Sequence, residues 1–231
     1  MFSPEMMAAA QKMMSNMSSE DMARMSQMAA NMDPKTMEGM MKNMGPGAAN
    51  MDTAKALEQM KNMSPEQMKS GMSQAQSQMA AQKQYMFNAS TMLKNEGNDL
   101  VKKENFQDAL TKYNKALENL ASHAGDDVEA LKVVLLNNSA LCHLKSKEFD
   151  TALKTSEDAL KIDPKSFKAL FRRGQARAEQ GKLAQAVTDM RQAAELSPGD
   201  KAIATELARL RGVLKERGIE EEAPQTHSVR S

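Results

Sequence analysis

Several things that usually betray a protein's chemistry are scarce in this chain. There is no Trp, and aromatic residues make up only 3% of its 231 residues, so it lacks the interleaved stacking surface on which single-stranded nucleic acid is held. Cys142 is the sole cysteine. That excludes an intramolecular disulfide framework and a cysteine-based metal cluster, and fits a reducing compartment. No run approaches the roughly 18 apolar residues that span a bilayer. The first residues carry acidic Glu5 and neither a basic segment nor the continuous apolar stretch of a secretory signal. The chain therefore reads as soluble and unsecreted. Charge of one sign is missing too: Lys+Arg number 31 against 30 Asp+Glu, a net charge of +1, so any electrostatic site must be local.

Branched aliphatic residues are absent from one end. Leu57 is the only Leu, Ile or Val before Leu93, whereas 22 of the 23 Met residues lie between Met1 and Met92. Two regions with different physics follow, 1–82 and 83–216, with a polar tail over 217–231 that is expected to be disordered. In the first region a phrase recurs, beginning at Asn16, Asn31, Asn43, Asn50 and Asn62. Asn is tolerated at a helix C-terminus, Ser or Asp caps the next helix, and Pro suits its first turn. Short helices are predicted, with Ser3-Pro4-Glu5, Asp33-Pro34-Lys35 and Ser64-Pro65-Glu66 as starts and Gly45-Pro46-Gly47 as a break. Met22, Met25, Met28, Met37, Met40, Met41 and Met44 fall at helical spacing. Unbranched thioethers pack deformably, which suits either an adaptable groove for hydrophobic segments or a loose bundle. Thioethers also suit Cu(I), but no His or Cys accompanies them in this region.

From Gln82 onward Leu, Val and Ile take over the apolar positions at helical spacing, and no strand pattern occurs. Three self-similar units are present. Gly97, Phe106, Ala109, Tyr113 and Ala116 in the first correspond to Ala140, Phe149, Ala152, Ser156 and Ala159 in the second. The third has Gly174, Leu183, Ala186, Met190 and Ala193. Pro164 and Pro198 close the second and third units, which are in register at 34 residues. These residues and this period resemble a three-repeat tetratricopeptide (TPR) domain. The resemblance implies an all-α superhelix of stacked hairpins, in which small residues allow close approach and Pro ends the second helix. Gly97 and Ala140 are 43 apart, so about nine extra residues are expected as a lengthened second helix and loop around Ser122 to Asp127. Asp200 is the expected cap of a final helix with Ile203, Leu207, Leu210 and Leu214 on one face.

The stretch Phe167 to Ala176 places Lys168 and Arg172 four residues apart with Arg173 beside them. Like charges at that spacing weaken a helix, and a local rule broken without local gain suggests a site for an anion. Lys94 and Asn98 share a face in the first unit, and the second supplies Asn138. Lys94, Asn98, Asn138, Lys168 and Arg172 resemble, in type and order, the two-carboxylate clamp of Hsp70 and Hsp90 co-chaperones. Such a set can hold carboxylates through charge-assisted and amide hydrogen bonds. The resemblance implies the chaperone C-terminal E-E-V-D motif as ligand. Asn138 rather than Asn137 takes the clamp role because it is in register. With the Met-rich region and the joining line from Tyr85 to Asn98, most of the chain is similar to plant TPR docking proteins of the chloroplast outer envelope and endoplasmic reticulum. Those continue into a C-terminal membrane anchor, which is not expected here.

Other classes find less support. His123, His143 and His227 are scattered, Cys142 reads as a small core residue, and the six residues between Gly174 and Gly181 fail the phosphate-loop pattern. No enzyme, cofactor or metal is expected. The run Lys161, Lys165, Lys168, Arg172, Arg173, Arg177 could serve nucleic acid, but the balanced charge argues against that partner. A TPR scaffold for an internal peptide is the other alternative. The expected partners are the tail of Hsp70 or Hsp90 and hydrophobic client segments, in the cytoplasm or peripherally at an organelle surface.

Overall fold

The structure, a computed structural model, describes residues 64–219 together with Asp21 and Arg24. The methionines Met22, Met25, Met28, Met37, Met40, Met41 and Met44 lie outside the described residues, as does the 220–231 part of the tail. The chain divides into two compact units at Gln84/Tyr85. All regular structure among the described residues is helical. Within residues 64–219 seven helices follow one another: α1 Pro65–Lys102, α2 Phe106–Leu120, α3 Asp126–Lys145, α4 Phe149–Ile162, α5 Phe167–Glu179, α6 Leu183–Leu196 and α7 Lys201–Glu216.

α1 starts at Pro65 with a reciprocal cap. The Gln67 backbone N–H donates to Ser64 Oγ (3.2 Å), and the Ser64 backbone N–H donates to Gln67 Oε1 (2.9 Å). It is not one of the expected short helices but runs for 38 residues, through the compositional boundary at 82. The physical reason is the absence of any breaker, since no Pro follows Pro65 before Pro164.

The second unit stacks three hairpins: the last part of α1 with α2, α3 with α4, and α5 with α6. Each hairpin turns through the same device. Glu104, Lys147 and Gly181 have φ of 58°, 61° and 77° at equivalent places. The N–H of the next residue reaches back to a helix carbonyl each time: Asn105 to Leu100 (2.9 Å), Glu148 to His143 (2.8 Å) and Lys182 to Arg177 (2.8 Å). These are Schellman closures, which satisfy the orphan carbonyls of the first helix and reverse the chain within three residues. The small residues Ala109, Ala116, Ala140, Ala152, Ser156, Ala159, Ala186 and Ala193 are all buried. Leu120, Val128, Leu131 and Leu135 fill the first interface, and Leu170 and Ile203 a later one. α7 covers the last hairpin. Asp200 accepts from Ala202 N (2.9 Å) and Ile203 N (3.2 Å) to cap it, and Ile203, Leu210 and Leu214 are buried.

The extra residues of the first repeat are not where the sequence suggested. α2 has 15 residues against 14 in α4, so the second helix is scarcely longer. Instead α3 has 20 residues against 13 in α5 and is extended at its start. Asp126, Asp127 and Glu129 in its first turn complement the helix dipole. Val128 and Leu131 are drawn into the core beside Leu110, Tyr113 and Leu120, so the added turns gain apolar burial that a loop would forgo.

Candidate functional site

The first helix of each hairpin supplies the five residues singled out above. Lys94 and Asn98 stand one turn apart on α1, Asn138 is on α3, and Lys168 and Arg172 stand one turn apart on α5. Asn98 and Asn138 meet directly: Asn138 Nδ2 donates to Asn98 Oδ1 at 2.8 Å. A third group, which sequence reasoning used only for packing, joins them. The Tyr113 hydroxyl donates to the same Asn98 Oδ1 at 2.8 Å. Burial, with the Cys142 thiol beside it, pushes the Tyr113 hydroxyl up to about 12 against a smaller opposing hydrogen bond from Asn138, so it stays protonated and remains a donor. Tyr113 shares its repeat position with Ser156 and Met190. A phenol at a place the other repeats give to Ser and Met was the available signal.

The neighbouring amide does something else. Asn137 is buried, and its Nδ2 donates to Ser166 Oγ at 3.2 Å, tying α3 to the residue before α5.

The three cations differ in their surroundings. Lys94 is half-buried and makes no ion pair among the described residues, and Lys168 is exposed with Nζ 5.9 Å from the Phe167 ring centroid. Arg172 is half-buried over the Phe171 ring, 5.3 Å from its centroid, with Nη1 donating to Gln175 Oε1 at 2.8 Å. Burial lowers the guanidinium's affinity for its proton, opposed by the field of Asp200. A partly desolvated guanidinium steered by a neutral amide and an aromatic face retains donors for an oxyanion. Gln175, one turn on, was not singled out in the sequence.

Three other members of the basic run are held in ion pairs. Arg173 grips the buried Asp189 through Nε (3.1 and 3.2 Å) and Nη2 (2.7 Å), and Arg177 Nη1 holds the same carboxylate at 2.8 Å. Lys161 pairs with Asp158 at 2.6 Å. The continuous basic strip that nucleic acid would need is thereby interrupted.

Nucleophilic chemistry has no footing at Cys142, which is fully buried and whose thiol burial pushes up to about 11. His143 Nδ1 lies 2.7 Å from Glu148 Oε2, and His123 is in the turn between α2 and α3. No helix among the described residues is long and apolar enough to cross a membrane.

Stacked hairpins of this geometry, with small residues at the crossings and a capping helix, define a TPR domain, a protein-interaction fold. The tetratricopeptide repeat family model matches residues 137–201. The chain is 42% identical over 210 residues to outer envelope protein 61 of Arabidopsis thaliana, which covers 87% of this chain and 38% of that protein. It thus spans well under half the length of that relative. Among solved structures, the C-terminal TPR-containing domain of a Plasmodium falciparum FK506-binding protein superposes with a TM-score of 0.53 at 26% identity. That match covers 59% of this chain and 95% of that one. The myosin chaperone UNC-45 from C. elegans, in complex with an Hsp90 peptide, gives 0.50 at 34% identity over 56% of this chain and 14% of that one. A second structure of it, with an Hsp70 peptide, gives the same TM-score and identity.

Proposed function

We propose that this protein is a co-chaperone adaptor whose TPR domain holds the C-terminal E-E-V-D tail of Hsp70 or Hsp90 through Lys94, Asn98, Asn138, Lys168 and Arg172. The observation that carries the reading is Arg172, a half-buried guanidinium with no carboxylate in an ion pair among the described residues. Burying a charge is costly unless a partner compensates, and a terminal carboxylate supplies one. The Asn98–Asn138 pair adds amide donors without adding positive charge. The UNC-45 complexes with Hsp90 and Hsp70 peptides support the same ligand class. Resemblance to outer envelope protein 61 supports a place at an organelle surface or in the surrounding cytoplasm.

In this reading the methionines Met22, Met25, Met28, Met37, Met40, Met41 and Met44 contact hydrophobic client segments or a second partner. Two weak contacts joined in one chain then reinforce each other through effective concentration. Calorimetric titration of the full chain with E-E-V-D peptides tests the proposal. Micromolar binding that is lost on amidation of the peptide and in Arg172→Ala is the expected result. Equal binding of free-acid and amidated peptides would instead establish a scaffold for internal segments, and no heat from either in folded protein would remove the chaperone-tail reading.

A further inference from the structure

Two side-chain amides hydrogen-bonded to each other have no intrinsic polarity. Each carries a donor and an acceptor, so turning both over produces an equally good pair with the opposite edge facing outward. At Asn98 and Asn138 that degeneracy is broken by a third group. The Tyr113 hydroxyl and Asn138 Nδ2 both donate to Asn98 Oδ1, each at 2.8 Å, which occupies the two lone pairs of that oxygen. Tyr113 is 1% exposed, and its ring is wedged against the Cα of Gly97, where even a methyl group would overlap Cε1. Were Asn98 to flip on its own, its amino group would face both the hydroxyl and Asn138 Nδ2, and the hydroxyl proton would lose the acceptor it has at 2.8 Å in a buried site, a costly loss. Asn98 is thereby held with Oδ1 inward and Nδ2 outward. Nδ2 makes no hydrogen bond among the described residues and is not among the buried unpartnered atoms, so it is open to solvent.

We infer that Tyr113 is a positioning residue that holds Asn98 Nδ2 outward as a donor, making the subsite at Asn98 select a carboxylate over a carboxamide at the end of a bound peptide. This rests on the clamp reading above. A carboxylate presents oxygen acceptors on both sides, whereas a carboxamide has one oxygen to give either to Asn98 Nδ2 or to the neighbouring cations, and its amino group then meets the other donor. Without the hydroxyl, the amide pair can turn over and offer Oδ1 to that amino group. Tyr113 therefore governs discrimination, beyond any part it plays in packing.

The test is competition binding to the full-length protein and Tyr113→Phe, using E-E-V-D peptides with free-acid and amidated termini. The unaltered protein should prefer the free acid. In Tyr113→Phe, which keeps the ring, free-acid affinity should fall by roughly tenfold, the scale of one lost charge-assisted or buried hydrogen bond. Amidated-peptide affinity should stay level or rise, so that the ratio between the two shrinks. A ratio unchanged in folded variant overturns the role of Tyr113 while leaving the clamp in place. Failure of the unaltered protein to prefer the free acid removes the clamp and this inference together. Should Tyr113→Phe not fold, the side-chain amide resonance of Asn98 in the unaltered protein decides. It should move on adding free-acid peptide and not with the amidated one, and an Asn98 signal that moves equally with both overturns the inference.

Discussion

Gly97 on α1 leaves the space that Tyr113 on α2 fills: a Cβ built at Gly97 would lie 2.9 Å from both Cδ1 and Cζ of the Tyr113 ring. The residue that carries the repeat's small-residue rule also seats the phenol that contacts Asn98. Packing and site are coupled at this one crossing. At the equivalent crossing in the third repeat, Gly174 faces Met190, with a Cβ 2.9 Å from Cε and 3.2 Å from the Ala186 carbonyl oxygen.

Gly97→Ala should therefore destabilise the domain by about 1–3 kcal/mol, the cost of overpacking a filled interior. It should weaken peptide binding as well, because the ring must shift away from Asn98. Gly212→Ala on α7 is the contrast, since nothing lies within 4 Å of the point its Cβ would take. There the gain in helix propensity should raise stability by about 0.5–1 kcal/mol. Chemical denaturation of both variants checks the opposite signs.

The repeats were legible because their physics is local and periodic. Small residues recur seven apart in each repeat, at Ala109 and Ala116, Ala152 and Ala159, and Ala186 and Ala193, and Asp200 sits three residues before the apolar-periodic run that starts at Ile203, so pattern alone places crossings and cap. Ser122 to Asp127 has no large apolar residue and so suggests a loop where α3 starts, while the apolar positions that decide it, Val128 and Leu131, come only afterwards. The five clamp candidates stood out by register. What escaped were pairings between helices. Nothing in the run Arg172-Arg173 tells which guanidinium will find Asp189, 16 residues on and buried, and which will stay open beside Gln175. Neither does the sequence show that the Tyr113 hydroxyl, 15 residues away, ends on Asn98.

Asp189 is 1% exposed and bridges two guanidinium groups that are each about four-fifths buried. Asp189→Ala should destabilise by about 3 kcal/mol, the lower end for breaking a buried ion pair, since both arginines can swing partly into water. Thermal unfolding followed by circular dichroism should show Tm falling by roughly 10 °C for a domain of this size. A fall no larger than for Asp158→Ala, whose partner Lys161 is exposed, would show that the pair contributes only as a surface bridge does.

Alkaline pH should loosen the first hairpin. Burial raises Cys142 from 9.0 to about 11 and Tyr113 from 10.0 to about 12. Between the ordinary and raised values the unfolded chain has already lost protons that the folded chain retains, so stability falls as pH rises. The contribution is complete below about pH 9 and is lost progressively towards about pH 12. Urea unfolding at about pH 8 and about pH 10.5 should differ by on the order of 2 kcal/mol from these two groups. Cys142→Ala, which removes one of them, should flatten the dependence.

Arg172 should separate stability from binding. Its guanidinium is partly desolvated, contacts Gln175 and the Phe171 ring, and forms no ion pair among the described residues. Replacing such a charge by an apolar side chain of similar length relieves desolvation while keeping contact with Phe171. Arg172→Met should leave stability unchanged or raise it by about 1 kcal/mol, yet weaken binding of a peptide carboxylate at least tenfold, as loss of a charge-assisted hydrogen bond requires. Arg173→Met, one residue on, should do the reverse. It strands half of the partnership around Asp189 and costs stability, while touching the ligand only through whatever tilt α5 then takes. Denaturation and titration run on both variants measure the two effects side by side. If the pair behaved alike in both assays, Arg172 would be one more structural cation and the anion site would have to be sought elsewhere on α5.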